Sequence, residues 1–215
     1  MSRVIRSGPA SALWPSVAII AGGALNIALW PIYTSVHGPG SVDMEGEVLG
    51  MGTLFWGSMM EGPSGLLIAL GLAGSYRRLT GRAGRMARVG YVLTMIGVVI
   101  PALVNLAILA VIPPLLAPIS GTGLILMAVA NRRTSSLTRF SRLLLWGLGV
   151  VLFWSVLWLA AVRPDVLDQI HGYRIYGAVA NVLFGLGWIL FGASLLSRGR
   201  ITEAGRPIPA ASPST

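Results

Sequence analysis

Six apolar runs, separated by short arginine-rich or acidic segments, take up most of this chain. They cover roughly residues 11–34, 49–76, 89–112, 113–131, 143–162 and 175–197. About 20 apolar residues are needed for a helix to cross the hydrocarbon core of a bilayer. Each run meets or nearly meets that length. Charged residues make up 11% of the chain, against about 25% in a soluble domain, too few to coat a water-facing surface. The pattern predicts an all-α fold, a polytopic membrane helix bundle with six transmembrane helices.

Charge placement gives this bundle an orientation. Arg3 and Arg6 precede the first run. Arg77, Arg78, Arg82, Arg85 and Arg88 separate the second from the third. Arg132, Arg133, Arg139 and Arg142 separate the fourth from the fifth, and Arg198, Arg200 and Arg206 follow the sixth. The opposite side holds only Arg163 and Arg174, together with Asp43, Glu45, Glu47, Asp165 and Asp168. Positive charge stays on the cytoplasmic side, so both termini are expected there and the chain is expected in the inner (cytoplasmic) membrane. The first run is too long for a signal-peptide core of about 7–15 residues and reads as an uncleaved helix. Residues 1–10 form a cytoplasmic N-terminus, residues 11–197 the membrane domain, and the Pro/Ala/Ser-rich residues 198–215 a disordered cytoplasmic tail. Pro113 and Pro114 in "IPPLLAP" predict a tight turn between the third and fourth helices.

Composition excludes several functions. The absence of cysteine removes disulfides, thiolate metal sites and thiol catalysis. A net charge of +9 does not indicate nucleic acid, because the arginines flank apolar runs and no aromatic stacking platforms interleave with them. The partners expected are the lipid bilayer and anionic headgroups at the cytoplasmic arginine clusters. Glycine-rich helix faces would equally serve a second copy of the chain or a membrane partner subunit. No phosphate-binding glycine pattern lies outside the runs. Ser120-Gly121 and His171 suggest an intramembrane serine protease, but the surrounding glycine offsets are wrong and no oxyanion donor pair is present. No catalytic residue, cofactor or metal is expected; Asp165, Asp168 and His171 are too loose a set for zinc.

The remaining signal is a layer of polar side chains. At about 1.5 Å per residue, Glu61 lies about 24 Å above the Arg77 edge of a core about 30 Å thick. Counted the same way, Asn105 and Asn181 fall at about 25 Å, Asn26 at about 21 Å and Ser155 at about 20 Å. Small residues flank these positions at helical spacing. Gly57, Ser58, Ser64 and Gly65 surround Glu61, Gly22 and Gly23 precede Asn26, and Gly177 and Gly185 bracket Asn181. Faces of this kind pack against other helices.

Glu61, Asn26, Asn105, Asn181 and Ser155 are therefore the candidate ligand- or proton-binding residues. Pro63 cannot donate to the Met59 carbonyl, which predicts a helix kinked or broken at Gly62 and Pro63. Glu61 would then stand beside the positive end of an inner half-helix. His171, Tyr173 and Tyr176 in "HGYRIYG" read as an outer aromatic rim. Two functions compete: a small transporter or ligand- or lipid-binding membrane protein with an outward-facing polar pocket, and a non-catalytic accessory subunit whose polar layer fixes helix packing.

Overall fold

A computed structural model describes residues 10–38, 46–109, 115–134, 136–161 and 172–204. Within these, the side chains of 10–12, 154–161, 172–173, 176 and 197–204 are outside the description. The described residues are helical almost throughout. The long helices are α1 (Ala10–His37), α2 (Thr53–Gly74), α4 (Gly84–Ile108), α5 (Ala117–Ala130), α6 (Arg139–Ala161) and α7 (Gly172–Ala204). A single-turn α3 (Tyr76–Thr80) follows α2, and a 3-10 turn, Asn131–Arg133, follows α5.

The six long helices close a ring. In spatial order α1 packs on α2, α2 on α4, α4 on α5, α5 on α6, α6 on α7, and α7 returns to α1. Glycine makes the tightest seams possible. A Cβ at Gly23 would stand 2.6 Å from the Gly185 carbonyl oxygen, and one at Gly185 would stand 2.7 Å from the Gly23 oxygen. Backbone cannot yield as a side chain does, so the approach of α1 to α7 depends on both residues.

Helix boundaries depart from the apolar runs where backbone chemistry intervenes. Residues 49–52 do not begin α2. Leu49 and Gly50 both have positive φ, 55° and 71°, and Val48 and Met51 exchange backbone hydrogen bonds of 3.0 and 3.1 Å across this turn. Helix α4 starts earlier than its run and stops at Ile108, because Leu109 adopts the left-handed conformation. Helix α5 begins only at Ala117, with Pro118 in its first turn, where a missing N–H costs nothing. The turn expected at Pro113 and Pro114 is outside the described residues. Helix α7 continues to Ala204, so residues 198–204, expected in the disordered tail, are helical.

The break expected at Gly62 and Pro63 does not occur. Helix α2 is one unbroken α-helix from Thr53 to Gly74. A proline removes a single hydrogen bond, and the helix bridges that gap. The Ser64 hydroxyl donates to the Met60 carbonyl and, at 3.2 Å, to the Glu61 carbonyl, adding polar partners beside the proline. The supposed positive end of a half-helix beside Glu61 is thereby removed.

Among the described residues, three helical segments are long and apolar enough to cross a membrane: Leu13–His37, Gly84–Ile108 and Gly177–Leu196. Helix α2 is diluted by Glu61, Pro63 and its glycines and serines. Helix α5, with 14 residues, extends only about 21 Å, less than a hydrocarbon core. The outer faces are apolar. Val89, Val92, Ile96, Ile100 and Leu103 on α4, and Ile175, Val179, Leu183, Leu186 and Leu190 on α7, are exposed at helical spacing. Asn26, Asn105, Asn131, Ser64 and Ser120 are buried instead. Apolar outside with polar inside suits hydrocarbon surroundings.

Candidate functional site

The site is built from contacts that set α1, α2 and α4 in register. Gly22 of α1 seats against Ser64 and Ile68 of α2, while the Thr53 hydroxyl donates to the Val36 carbonyl at 3.1 Å. The two helices are therefore antiparallel, and Asn26, one turn beyond Gly22, comes level with Glu61. Across the next seam, Gly65 faces Ala102, and a side chain at Gly62 would run into Leu106. Gly62 thus lets α4 approach at the level of Glu61.

This approach closes a hydrogen bond between helices. Asn105 Nδ2 donates to Glu61 Oε2 at 2.6 Å. Asn105 is fully buried and Glu61 half-buried. Glu61 Oε1 has no hydrogen-bond partner among the described residues and remains able to accept one from a ligand. Asn26 is also buried, at 3% exposure, and its Oδ1 has no hydrogen-bond partner among the described residues. A buried polar atom left unpaired costs about 1–3 kcal/mol.

The structure does not extend the pair to the other expected residues. Asn181 is level with this region, because Gly177 packs under Trp30 and Gly185 against Gly23 and Ile27. Its Nδ2, however, donates to the Gly177 carbonyl of its own helix at 2.9 Å. Ser155 lies on α6, but its side chain is outside the description, as are those of Tyr173 and Tyr176 on α7. His171 falls outside the described residues altogether. No group of three metal-binding side chains occurs among the described residues.

Two polar clusters escaped the sequence reading. At the end carrying the arginine loops, Asn131 is fully buried and fully used. Its Nδ2 donates to the Leu79 and Met127 carbonyls, both at 2.9 Å, and its Oδ1 accepts from Thr134 and Ser136 at 2.9 and 2.7 Å. Arg142 donates to the Asn131 and Arg132 carbonyls at 3.1 and 2.6 Å. At the opposite end, His37 is buried beside Tyr33, with ring centroids 5.2 Å apart. Arg174 Nε donates to the neighbouring Gly38 carbonyl at 3.0 Å. Asn131 sits at the edge of an apolar run among arginines, and that position hid it. His37 was concealed by the glycine-rich loop after it. No protein-family model, no curated protein and no solved structure matches the chain.

Proposed function

We propose that the chain is a six-span integral membrane protein of the inner membrane with both termini cytoplasmic, and that Glu61, Asn105 and Asn26 form a ligand- or proton-binding site facing outward. The observation that carries this reading is the pairing of a carboxylate with Asn105 at the level where Asn26 Oδ1 lacks a partner. Asn105 fixes one carboxylate oxygen. The other oxygen and Asn26 Oδ1 both present acceptors, which suits a cationic or hydrogen-bond-donating ligand, or a proton. A small transporter or ligand-binding membrane protein is the activity this chemistry fits best. Fourteen of the sixteen arginines on one side support the orientation.

The accessory-subunit reading draws on a different observation: Asn181 and Asn105 both spend their donors inside the bundle, as packing residues do. Cysteine substitution at positions 26, 61, 105 and 181 separates the two, since the chain has no native thiol. Labelling of position 61 by a membrane-impermeant reagent from outside only is the expected result. Absence of labelling at all four positions would discard the outward site. In the transporter reading, Glu61→Gln alters ligand uptake or its pH dependence at unchanged abundance; a loss of abundance alone favours the accessory role.

A further inference from the structure

We propose that a second site, at the corner between α1 and α7, binds an oxyanion carried on an apolar tail, with Arg174 as its anchor. A cavity of about 330 Å³ opens there, lined by Trp30, Pro31, Thr34, Ser35, Arg174 and Ala178. This volume is at the lower end of that of small-molecule pockets, about 300–1,000 Å³. None of the residues of the Glu61 site lines it.

Its chemistry is one-sided in charge. Arg174 Nε is committed to the Gly38 carbonyl at 3.0 Å, which fixes the plane of the guanidinium. The two terminal nitrogens have no hydrogen-bond partner among the described residues, and a guanidinium presents such donors as a fork matched to a carboxylate or phosphate. No carboxylate is among the described lining residues, so the charge they present, that of Arg174, favours an anion. The Thr34 hydroxyl already donates to the Trp30 and Pro31 carbonyls at 3.1 and 3.0 Å, and the Ser35 hydroxyl to the Ile32 carbonyl at 2.7 Å. Both contribute little further donation, which leaves Arg174 as the recognising group. Trp30, Pro31 and Ala178 form the apolar wall. Trp30 is held in place by Tyr33, at a centroid distance of 5.6 Å, and by Gly177, where any side chain would strike its ring. The wall is therefore closely packed, and it lies along α7, whose exposed face bears Ile175 and Val179. A headgroup on Arg174 would lay its chain along that face.

The ligand's source is either a membrane phospholipid or a free oxyanion, and alkylation protection distinguishes them. Ser35→Cys supplies a unique thiol in the lining, with Thr34→Cys as a second reporter. The full-length protein in uncharged detergent is labelled with a maleimide in the presence of short-chain phosphatidylglycerol, inorganic phosphate, or an uncharged diacylglycerol of equal chain length. Phosphatidylglycerol is expected to slow labelling about tenfold at a concentration where diacylglycerol does not, and Arg174→Gln to abolish the difference. Protection by inorganic phosphate alone would overturn the apolar tail and leave Arg174 as the anchor of a free oxyanion. Ala178→Phe, which fills the apolar wall with Arg174 intact, is expected to remove protection by the lipid, and it carries the test if Arg174→Gln fails to fold. The proposal falls if neither thiol reacts, if no anion protects, if diacylglycerol protects equally, or if both Arg174→Gln and Ala178→Phe leave protection unchanged.

Discussion

The two ends of the bundle treat buried asparagine in opposite ways. At the arginine-rich end, Asn131 uses both donors and accepts two hydroxyls, tying α5 to Leu79 and to the loop that leads into α6. Around it an apolar core of Ile68, Leu72, Leu124, Met127, Trp188 and Phe191 fills the ring. Toward the other end the apolar cluster shrinks to Trp30, Tyr33 and Met60. Here Asn105 is engaged by a half-buried carboxylate, and Asn26 Oδ1 has no partner among the described residues. Asn131 satisfies every polar atom of its side chain, whereas Asn26 leaves an acceptor over among the described residues. Binding sites are assembled from such surplus, whereas a fully paired network contributes rigidity.

The largest effect expected from this contrast is at Asn131. Asn131→Ala removes two donors from carbonyls of two segments and the acceptor for Thr134 and Ser136. Stability is expected to fall by about 3 kcal/mol, read as the denaturation midpoint in detergent micelles. A change near zero would mean that water replaces the network, and the two ends would no longer differ in kind. Next comes the α1–α7 seam. Gly185→Val places a Cβ against the Gly23 carbonyl oxygen, 2.7 Å away, and is expected to cost about 2 kcal/mol. A smaller loss with preserved fold would show the seam to be compliant.

Much of this architecture was legible in the sequence, for identifiable reasons. Apolar runs report helix positions, because a helix that faces an apolar environment on one side and packs on the other must be apolar over its length. The level shared by Asn26, Glu61, Asn105 and Asn181 followed from the constant rise of a helix. What could not be read was which polar atoms meet. Asn181 turns back to its own Gly177 carbonyl, and that rotamer leaves no mark in residue spacing. Pro63 misled in a second way: the rule that proline breaks helices assumes that the remaining backbone cannot hold, yet α2 holds through it. Leu49 also escaped, since a leucine with positive φ violates ordinary turn preferences.

The Glu61–Asn105 bond sharpens the comparison at intermediate size. Asn105→Leu leaves the carboxylate without its donor and is expected to cost about 1.5 kcal/mol. Glu61→Gln keeps an acceptor for Asn105 and is expected to cost less. The double-mutant cycle of Glu61→Leu and Asn105→Leu is expected to give a coupling of about 1 kcal/mol, within the range for interhelical hydrogen bonds in membranes. Zero coupling would reduce the pair to a proximity without an energetic bond.

Asn26→Leu carries the smallest expected effect and the opposite sign. Leucine shares the branching of asparagine with somewhat larger groups, and replacing an oxygen that has no partner among the described residues by carbon removes a desolvation cost. The variant is therefore expected to be more stable than the parent by about 1 kcal/mol, against the loss at Asn131. The sign reverses if a ligand or ordered water pairs with Asn26 Oδ1 in the purified protein, because the substitution then removes a real partner. These two outcomes separate on exhaustive delipidation: a ligand that occupies Asn26 raises the parent's midpoint when present and leaves the variant's unchanged. A destabilised variant that is indifferent to delipidation would place a protein or water partner on Oδ1, and the outward site would then rest on Glu61 alone.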